Sequence, residues 1–102
     1  MSSKDHGYEK FNLAMEDLVT SNDSIQDRLS NVFLSHLHVI KPSEIPEEVE
    51  VRFNNLLEKV SSKGTYEKTI KSFSDVEAQD VAKEILKIYG VICSLINSTD
   101  LY

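Results

Sequence analysis

The sequence predicts an all-α protein, an up-and-down bundle of four main helices with one short helix before the last. Two observations support this fold class. Apolar residues recur every three or four positions along most of the chain, which is the spacing of a helix with one buried face. Only three glycines and two prolines occur in 102 residues, which favours a few long elements over many short strands. A chain of this length forms about one domain.

The first helix is predicted over residues 8 to 20, and residues 1 to 6 are expected to form a flexible tail. Leu13 lies on the opposite side of this helix from its apolar stripe. The segment "SNDS" then interrupts the pattern, and Asp23 with Gln26 resembles a capping pair. A second helix is predicted near residues 24 to 40. The apolar stripes of the two helices are Tyr8, Phe11, Met15, Leu18 and Val19, and then Ile25, Leu29, Val32, Phe33, Val39 and Ile40.

Two prolines separate the second helix from the third. Pro42 disfavours helical dihedral angles at the residue before it, and Pro46 suits the first turn of the next helix. Gly64 is a plausible terminator in a left-handed conformation. The segment "TYEKTIKSF" that follows predicts a short helix of about two turns. The stripe of the third helix consists of Val49, Phe53, Leu56, Leu57 and Val60.

The last helix is predicted from Asp75 to about Ser98. Ser74 and Glu77 match the capping box, in which each side chain satisfies a backbone N–H at the helix start. From position 85 onward the apolar surface widens to include Leu86, Val91 and Leu95. A helix that is apolar around most of its girth is buried on several sides. Either it is the central helix of the bundle, or another subunit or partner covers its outer face.

Composition limits the classes of partner. The formal net charge is −6, and no cluster of Lys and Arg is present, so nucleic acid is not an expected partner. The apolar-rich stretch 85 to 96 is shorter than the roughly 20 residues that span a bilayer, so no membrane association is predicted. The first ten residues lack the apolar segment of a secretory signal. Cys93 is the single cysteine, which fits a soluble protein of the reducing cytoplasm.

Two histidines in "NVFLSHLHVIKP" raise the question of a metal or acid–base site. His36 and His38 are two positions apart, so on a helix their side chains diverge by about 200° and cannot bind one ion. His36 lies on the apolar stripe, where we expect a core-facing ring bonded to a backbone carbonyl, Ser, Tyr or carboxylate. His38 is expected on the surface, or at an interface if that face pairs.

The residues of this sequence do not assemble a recognisable active site. There is no H-E-x-x-H pair, no glycine-rich phosphate loop and no G-x-S-x-G motif. We therefore predict no catalytic residues, no metal and no cofactor. An alternative is a small-ligand pocket lined by His36, Tyr66 and Tyr89. Such sites are usually mostly apolar cavities with a few polar groups, which a histidine and two tyrosines could supply.

Several apolar residues lie off the main stripe of their helices or beyond the last helix. Together they predict a second contact surface for a protein partner or another copy of the chain. Acidic charges at its rim would attract a basic partner. The predicted interface residues are Leu13, Leu34, His38, Val51, Val91, Leu95, Leu101 and Tyr102.

The segments "SIQDRL" and "FSDVEAQ" resemble small uncharacterised all-helical proteins of bacteria and their phages. The resemblance implies a prokaryotic cytoplasmic setting and supplies no activity. From the residues we expect a non-enzymatic interaction protein (a regulator, adaptor, immunity protein or inhibitor) that self-associates or binds a protein through its last helix. The alternatives are the small-ligand-binding bundle and, third, an enzyme assembled on oligomerisation.

Overall fold

The chain folds as an all-α bundle of four main helices with a short helix before the last, as predicted. The structure, a computed structural model, describes the backbone of residues 3–100 and the side chains of residues 6–95. No strand occurs in this range. The helices are α1 (Ser3–Thr20), α2 (Ile25–Val32, continued by a π-helical turn over Phe33–Leu37), α3 (Glu47–Val60), α4 (Tyr66–Lys71) and α5 (Asp75–Asp100), with a 3-10 turn at Pro42–Glu44.

Helix α5 is the centre of the bundle, because it packs against α1, α2 and α3. Its buried face meets the apolar stripes of those helices, and the Phe11 ring contacts the Phe53 ring edge-on at 5.5 Å between centroids. These contacts bury the core-facing stripe of α5, whereas Leu86, on the widened apolar surface, remains 53% exposed. The fully buried side chains of α5 are Ala78, Val81, Ile85, Ile88 and Ile92.

Local capping residues set most of the helix starts. The Ser74 hydroxyl accepts from the Glu77 N–H at 3.1 Å, and the Glu77 carboxylate accepts from the Ser74 N–H at 3.0 Å, which is the predicted capping box. Gly64 has a positive φ of +107°, but α3 already ends at Val60 with Ser61 as its C-cap, so this glycine lies in the turn beyond the helix end and does not terminate the helix itself. At α2 the cap differs from the prediction, since Ser24 accepts from the Asp27 N–H at 3.1 Å.

The second helical segment departs from the predicted regular helix at its C-terminal end. Residues Phe33–Leu37 form a π turn, closed by the His38 N–H donating to the Phe33 carbonyl at 3.0 Å. A π turn adds one residue to the turn and rotates every later side chain relative to the α-helical register. Leu37 is fully buried, and the helix ends there and not at the predicted residue 40. Val39, predicted on the apolar stripe, lies in the following turn and is 45% exposed, whereas Ile40 is buried as predicted.

The N-terminal part of α1 packs on the 3-10 turn. Helix α1 begins at Ser3 and includes residues 3 to 6, where the sequence predicted a tail. A Cβ atom at Gly7 would lie only 1.9 Å from the Glu44 carbonyl oxygen, so the two backbones approach as closely as they do because residue 7 is glycine. The Glu44 carboxylate is buried and bonds both the Lys41 N–H, at 2.8 Å, and Nδ1 of His6.

Those two bonds act on the protonation of the carboxylate. The Lys41 N–H first, and the His6 ring second, lower the pKa of Glu44 below its ordinary value of 4.5. The charged form of Glu44 therefore holds the start of α1 against the turn before α3.

Along the described part of the chain, no helix combines the length and apolarity that a bilayer-spanning segment needs.

Candidate functional site

The two central histidines point in different directions, and neither lies in a pocket with the other. Nε2 of His36 donates to the Asp17 carboxylate of α1 at 2.6 Å, so its partner is of one of the predicted kinds. The His36 side chain is 16% exposed, at the edge of the core and not inside it, because the π turn directs Leu37 inward instead. His38 is exposed, and its Nδ1 donates to the Phe33 carbonyl at 2.9 Å.

The two tyrosines predicted to share a pocket with His36 lie elsewhere. Tyr66 stacks on Phe33 at 5.7 Å between ring centroids and lies beside the His38 ring. Tyr89 stacks on Tyr8 of α1 at 6.0 Å. The predicted pocket residues thus belong to three separate contacts: the α1–α2 junction, the α2–α4 junction and the α1–α5 junction.

Tyr89 is held as a neutral phenol. Its hydroxyl donates to the Asn12 side-chain carbonyl at 2.8 Å. Burial raises the pKa of Tyr89 above its ordinary value of 10.0, and the nearby Cys93 thiol raises it further. Because a catalytic acid or base works best with a pKa near the operating pH, this tyrosine is better suited to joining α1 and α5 than to proton transfer.

The predicted interface residues that the structure describes lie on several different elements. Val91 is half-buried and packs on the core, and Leu95 is also half-buried. Leu101 and Tyr102 lie outside the described residues. The other predicted apolar contacts, Leu13, Leu34 and Val51, are exposed on α1, the π turn and α3 respectively, and His38 is exposed after the π turn.

An apolar groove lies where the end of α1 and the start of α2 meet the middle of α5. We call it the α1/α2/α5 groove, and its volume is about 240 Å³. Two of its apolar side chains are strongly exposed: Val19 by 75% and Leu86 by 53%. The groove is lined by Met15, Leu18, Val19, Ile25, Arg28, Ala82, Lys83 and Leu86.

The short connection between α1 and α2 creates one end of this groove. Helix α1 ends at Thr20 and α2 begins at Ile25, so Val19 and Ile25 lie at the same corner. On α5, Leu86 is about 100° around the helix from the buried Ile85, which places it beside the core-facing stripe and not within it. A concave surface therefore remains between the three helices.

Arg28 connects the groove to the C-terminus of α1. Its Nη1 donates to the Leu18 carbonyl at 2.7 Å, one of the carbonyls that a helix end leaves without an intrahelical partner. A cation at this position also interacts favourably with the helix dipole. Nε of Arg28 is buried and has no hydrogen-bond partner within the described part of the chain.

Sequence reasoning did not identify this groove. The pattern of the first helix predicts Val19 on its core stripe, and no motif in the sequence marks Arg28 or Lys83 as site residues. Leu86 was recognised as part of the widened apolar surface of the last helix. The angular offset of Leu86 from Ile85 is the one feature of the sequence that points to an exposed apolar side chain here. The rest of the groove could not be predicted, because its walls come from segments more than fifty residues apart.

Two further surface grooves have more polar linings than this one: the larger is of mixed polarity and the smaller is mainly polar. A groove of about 680 Å³ lies between α3 and α5 and contains Val51 together with an Arg52–Glu84 ion pair at 3.0 Å. A groove of about 300 Å³ lies beside α2 and α4 and contains Leu34. Its charged lining residues are Asp23, Asp27, Glu67 and Lys71. Lys71 donates to Glu67 at 2.8 Å.

Residues 6–95 contain no group of three or more His, Cys, Asp or Glu side chains arranged to hold a metal ion.

Comparison with protein-family models, curated proteins and solved structures found no match to this chain. The candidate site is therefore characterised by its own geometry: an apolar concavity with two exposed apolar side chains and two cationic ones.

Proposed function

We propose that this chain is a non-enzymatic interaction protein that binds another protein through the α1/α2/α5 groove. The observation that supports this proposal is the exposure of Val19 and Leu86 on either side of an apolar concavity. Exposed apolar side chains that are grouped around a concave surface are typical of sites where another protein docks. The last helix contributes Leu86 to this interface, in place of the half-buried Val91 and Leu95 that the sequence suggested.

The size of the groove favours a protein side chain over a small ligand. Its volume of about 240 Å³ lies below the roughly 300–1,000 Å³ of most small-molecule sites. An apolar anchor side chain from a partner fits a concavity of this size. Residues around the groove would form the rim that excludes water, as in other protein interfaces.

Two parts of the proposal concern context. A second copy of the chain is an alternative occupant of the same groove. The mass of the protein in solution tests this alternative. A cytoplasmic setting is also proposed, supported by the single cysteine, Cys93, which leaves no intrachain disulfide for an oxidising compartment to form.

Leu86→Ser tests the proposed interface, with Leu13→Ser as its matched control. Both leucines are exposed, by 53% and 44%, on helices of the same bundle, but only Leu86 lines the groove. Because both side chains are surface residues, both variants should unfold within about 0.5 kcal/mol of the parent. In affinity capture from an extract of the native cells, we expect Leu86→Ser to lose a protein partner that Leu13→Ser retains.

Sedimentation equilibrium of the purified chain tests the alternative. A mass that rises with concentration and is restored to the monomer value by Leu86→Ser would show self-association through the groove. Equal capture of every partner by the parent, Leu86→Ser and Leu13→Ser, with a constant monomer mass, would contradict the proposed function.

A further inference from the structure

We infer that the partner surface that enters the α1/α2/α5 groove is acidic: an apolar anchor side chain flanked by Asp or Glu. This inference rests on the proposed function and adds the chemistry of the occupant. It differs from the sequence-based expectation of a basic partner, which was drawn from the net charge of −6.

The charges at the groove have the opposite sign to the charge of the whole chain. The charged side chains that line it are Arg28 and Lys83, on two different helices, and the other lining residues are apolar. Electrostatic complementarity acts between the charges that face each other across an interface. Salt largely screens the interaction between exposed charges that are more than about 10 Å apart. Because Arg28 and Lys83 line the groove itself, they are the charges that an occupant meets directly, and they favour a partner charge of opposite sign.

The guanidinium of Arg28 supplies a second, independent observation. Nη1 is fixed by the Leu18 carbonyl, which holds the planar group in one orientation. Nε remains buried without a hydrogen-bond partner among the described residues. A partner carboxylate cannot reach this buried atom, so the fixed guanidinium attracts a carboxylate through its positive charge, which Arg keeps at all physiological pH values.

A second copy of this chain is a poorer occupant than an acidic partner. In a two-fold dimer both copies use the same surface, and residues near an axis that passes through the groove face their own counterparts. Lys83 and Arg28 would then lie close to the Lys83 and Arg28 of the second copy. Like charges brought together at an interface disfavour association, whereas Asp or Glu beside the anchor avoids that repulsion.

A displayed library of helical peptides tests the inference, because the selected sequences themselves reveal which flanking charges the groove prefers. Each peptide would carry one apolar anchor, varied among Leu, Ile, Met and Phe, with random residues on both sides of it. Selection would be carried out on the parent, on Leu86→Ser and on Lys83→Glu. Lys87→Glu is the matched control for the charge, because Lys87 is exposed one turn later on α5 and does not line the groove.

We expect selection on the parent to enrich Asp and Glu beside the anchor, and selection on Leu86→Ser to recover none of these peptides. Peptides selected on the parent should bind Lys83→Glu about three- to tenfold more weakly, as exposed charge pairs at a rim allow, and the loss on Lys87→Glu should be clearly smaller. On Lys83→Glu the enriched flanking residues should become neutral or basic.

Two other outcomes separate this inference from the proposed function. Peptides that require Leu86 but carry neutral or basic flanking residues would overturn the acidic-partner inference and leave the proposed interface in place. If no enriched peptide depends on Leu86, both are overturned.

Discussion

Gly7 and Gly90 both lie within helices, yet an added methyl group would meet different surroundings at the two positions. At Gly7 it would collide with the Glu44 carbonyl oxygen, which belongs to the backbone and cannot move without shifting the 3-10 turn. At Gly90 the added Cβ would lie in open space, with no atom within 4 Å. The first glycine is a packing requirement, and the second lowers the stability of α5.

We therefore expect Gly7→Ala and Gly90→Ala to change stability in opposite directions. Overpacking at Gly7 should cost about 1–3 kcal/mol. Replacement of an exposed glycine in a helix interior should stabilise the protein by about 1 kcal/mol, because alanine is the better helix former. Urea unfolding of both variants measures the two effects. A destabilised Gly90→Ala variant would indicate a close contact at that position that the structure lacks.

Glu44 contributes a pH-dependent part of the stability. Its folded-state pKa is lowered, so its stabilising effect is fully present above the ordinary value of 4.5 and is lost as the pH falls through the lowered value. At neutral pH, Glu44→Ala should cost about 1–3 kcal/mol, because the Lys41 N–H and the His6 ring lose a buried charged acceptor.

The free energies of unfolding of the parent and Glu44→Ala should converge as the pH is lowered from 7 into the acid range below 4.5. Urea titrations at a series of pH values measure this convergence. Glu67→Ala is the control, because Glu67 is also paired but is exposed, and its removal should have a much smaller effect. A difference between parent and Glu44→Ala that stays constant with pH would contradict the assigned role of the carboxylate.

At the scale of the helix, sequence prediction succeeds where the signal is local. The capping box of Ser74 and Glu77 set the start of α5 at Asp75, and Gly64 marked the turn before α4. The π turn at Phe33–Leu37 could not be predicted in this way, because the same residues are equally compatible with a regular α-helical turn. The placement of Val39 on the stripe was wrong because the helix ends at Leu37, which leaves Val39 in the turn that follows.

The capping box predicts a measurable contribution to α5. Ser74→Ala removes the acceptor for the Glu77 N–H and should cost about 0.5–2 kcal/mol of unfolding free energy. Ser62→Ala, in the exposed turn after α3, is the control and should change stability little. Equal effects of the two substitutions in chemical denaturation would argue against the cap as the source of the stability.

At the scale of the molecule, the candidate site depends on contacts between distant segments. The bond between Arg28 and Leu18 and the alignment of Leu86 with Val19 arise only when α1, α2 and α5 pack together. Helical periodicity assigns each residue an angle on its own helix and gives no information on which faces of different helices become neighbours. The fold class could therefore be predicted from the sequence, whereas the groove could not.

The charges at the groove predict salt-sensitive binding. Raising NaCl from about 50 mM to about 500 mM shortens the screening length severalfold, so an acidic partner should bind more weakly. Lys83→Gln should reduce this salt dependence more than Lys87→Gln does, as measured by calorimetric titration with the captured partner. Binding that strengthens with salt in all three proteins would indicate an interface without charge complementarity.

The composite construction of the groove couples recognition to folding. Residues 15–28 supply one wall and residues 82–86 supply the other, so an unfolded chain presents no site at all. By mass action, a partner present at one hundred times its dissociation constant would add about 2.7 kcal/mol to the unfolding free energy. Amide hydrogen exchange in the middle of α5 would slow correspondingly. The amount of bound partner would thus depend on the concentration of folded molecules, and binding would protect those molecules from proteolysis.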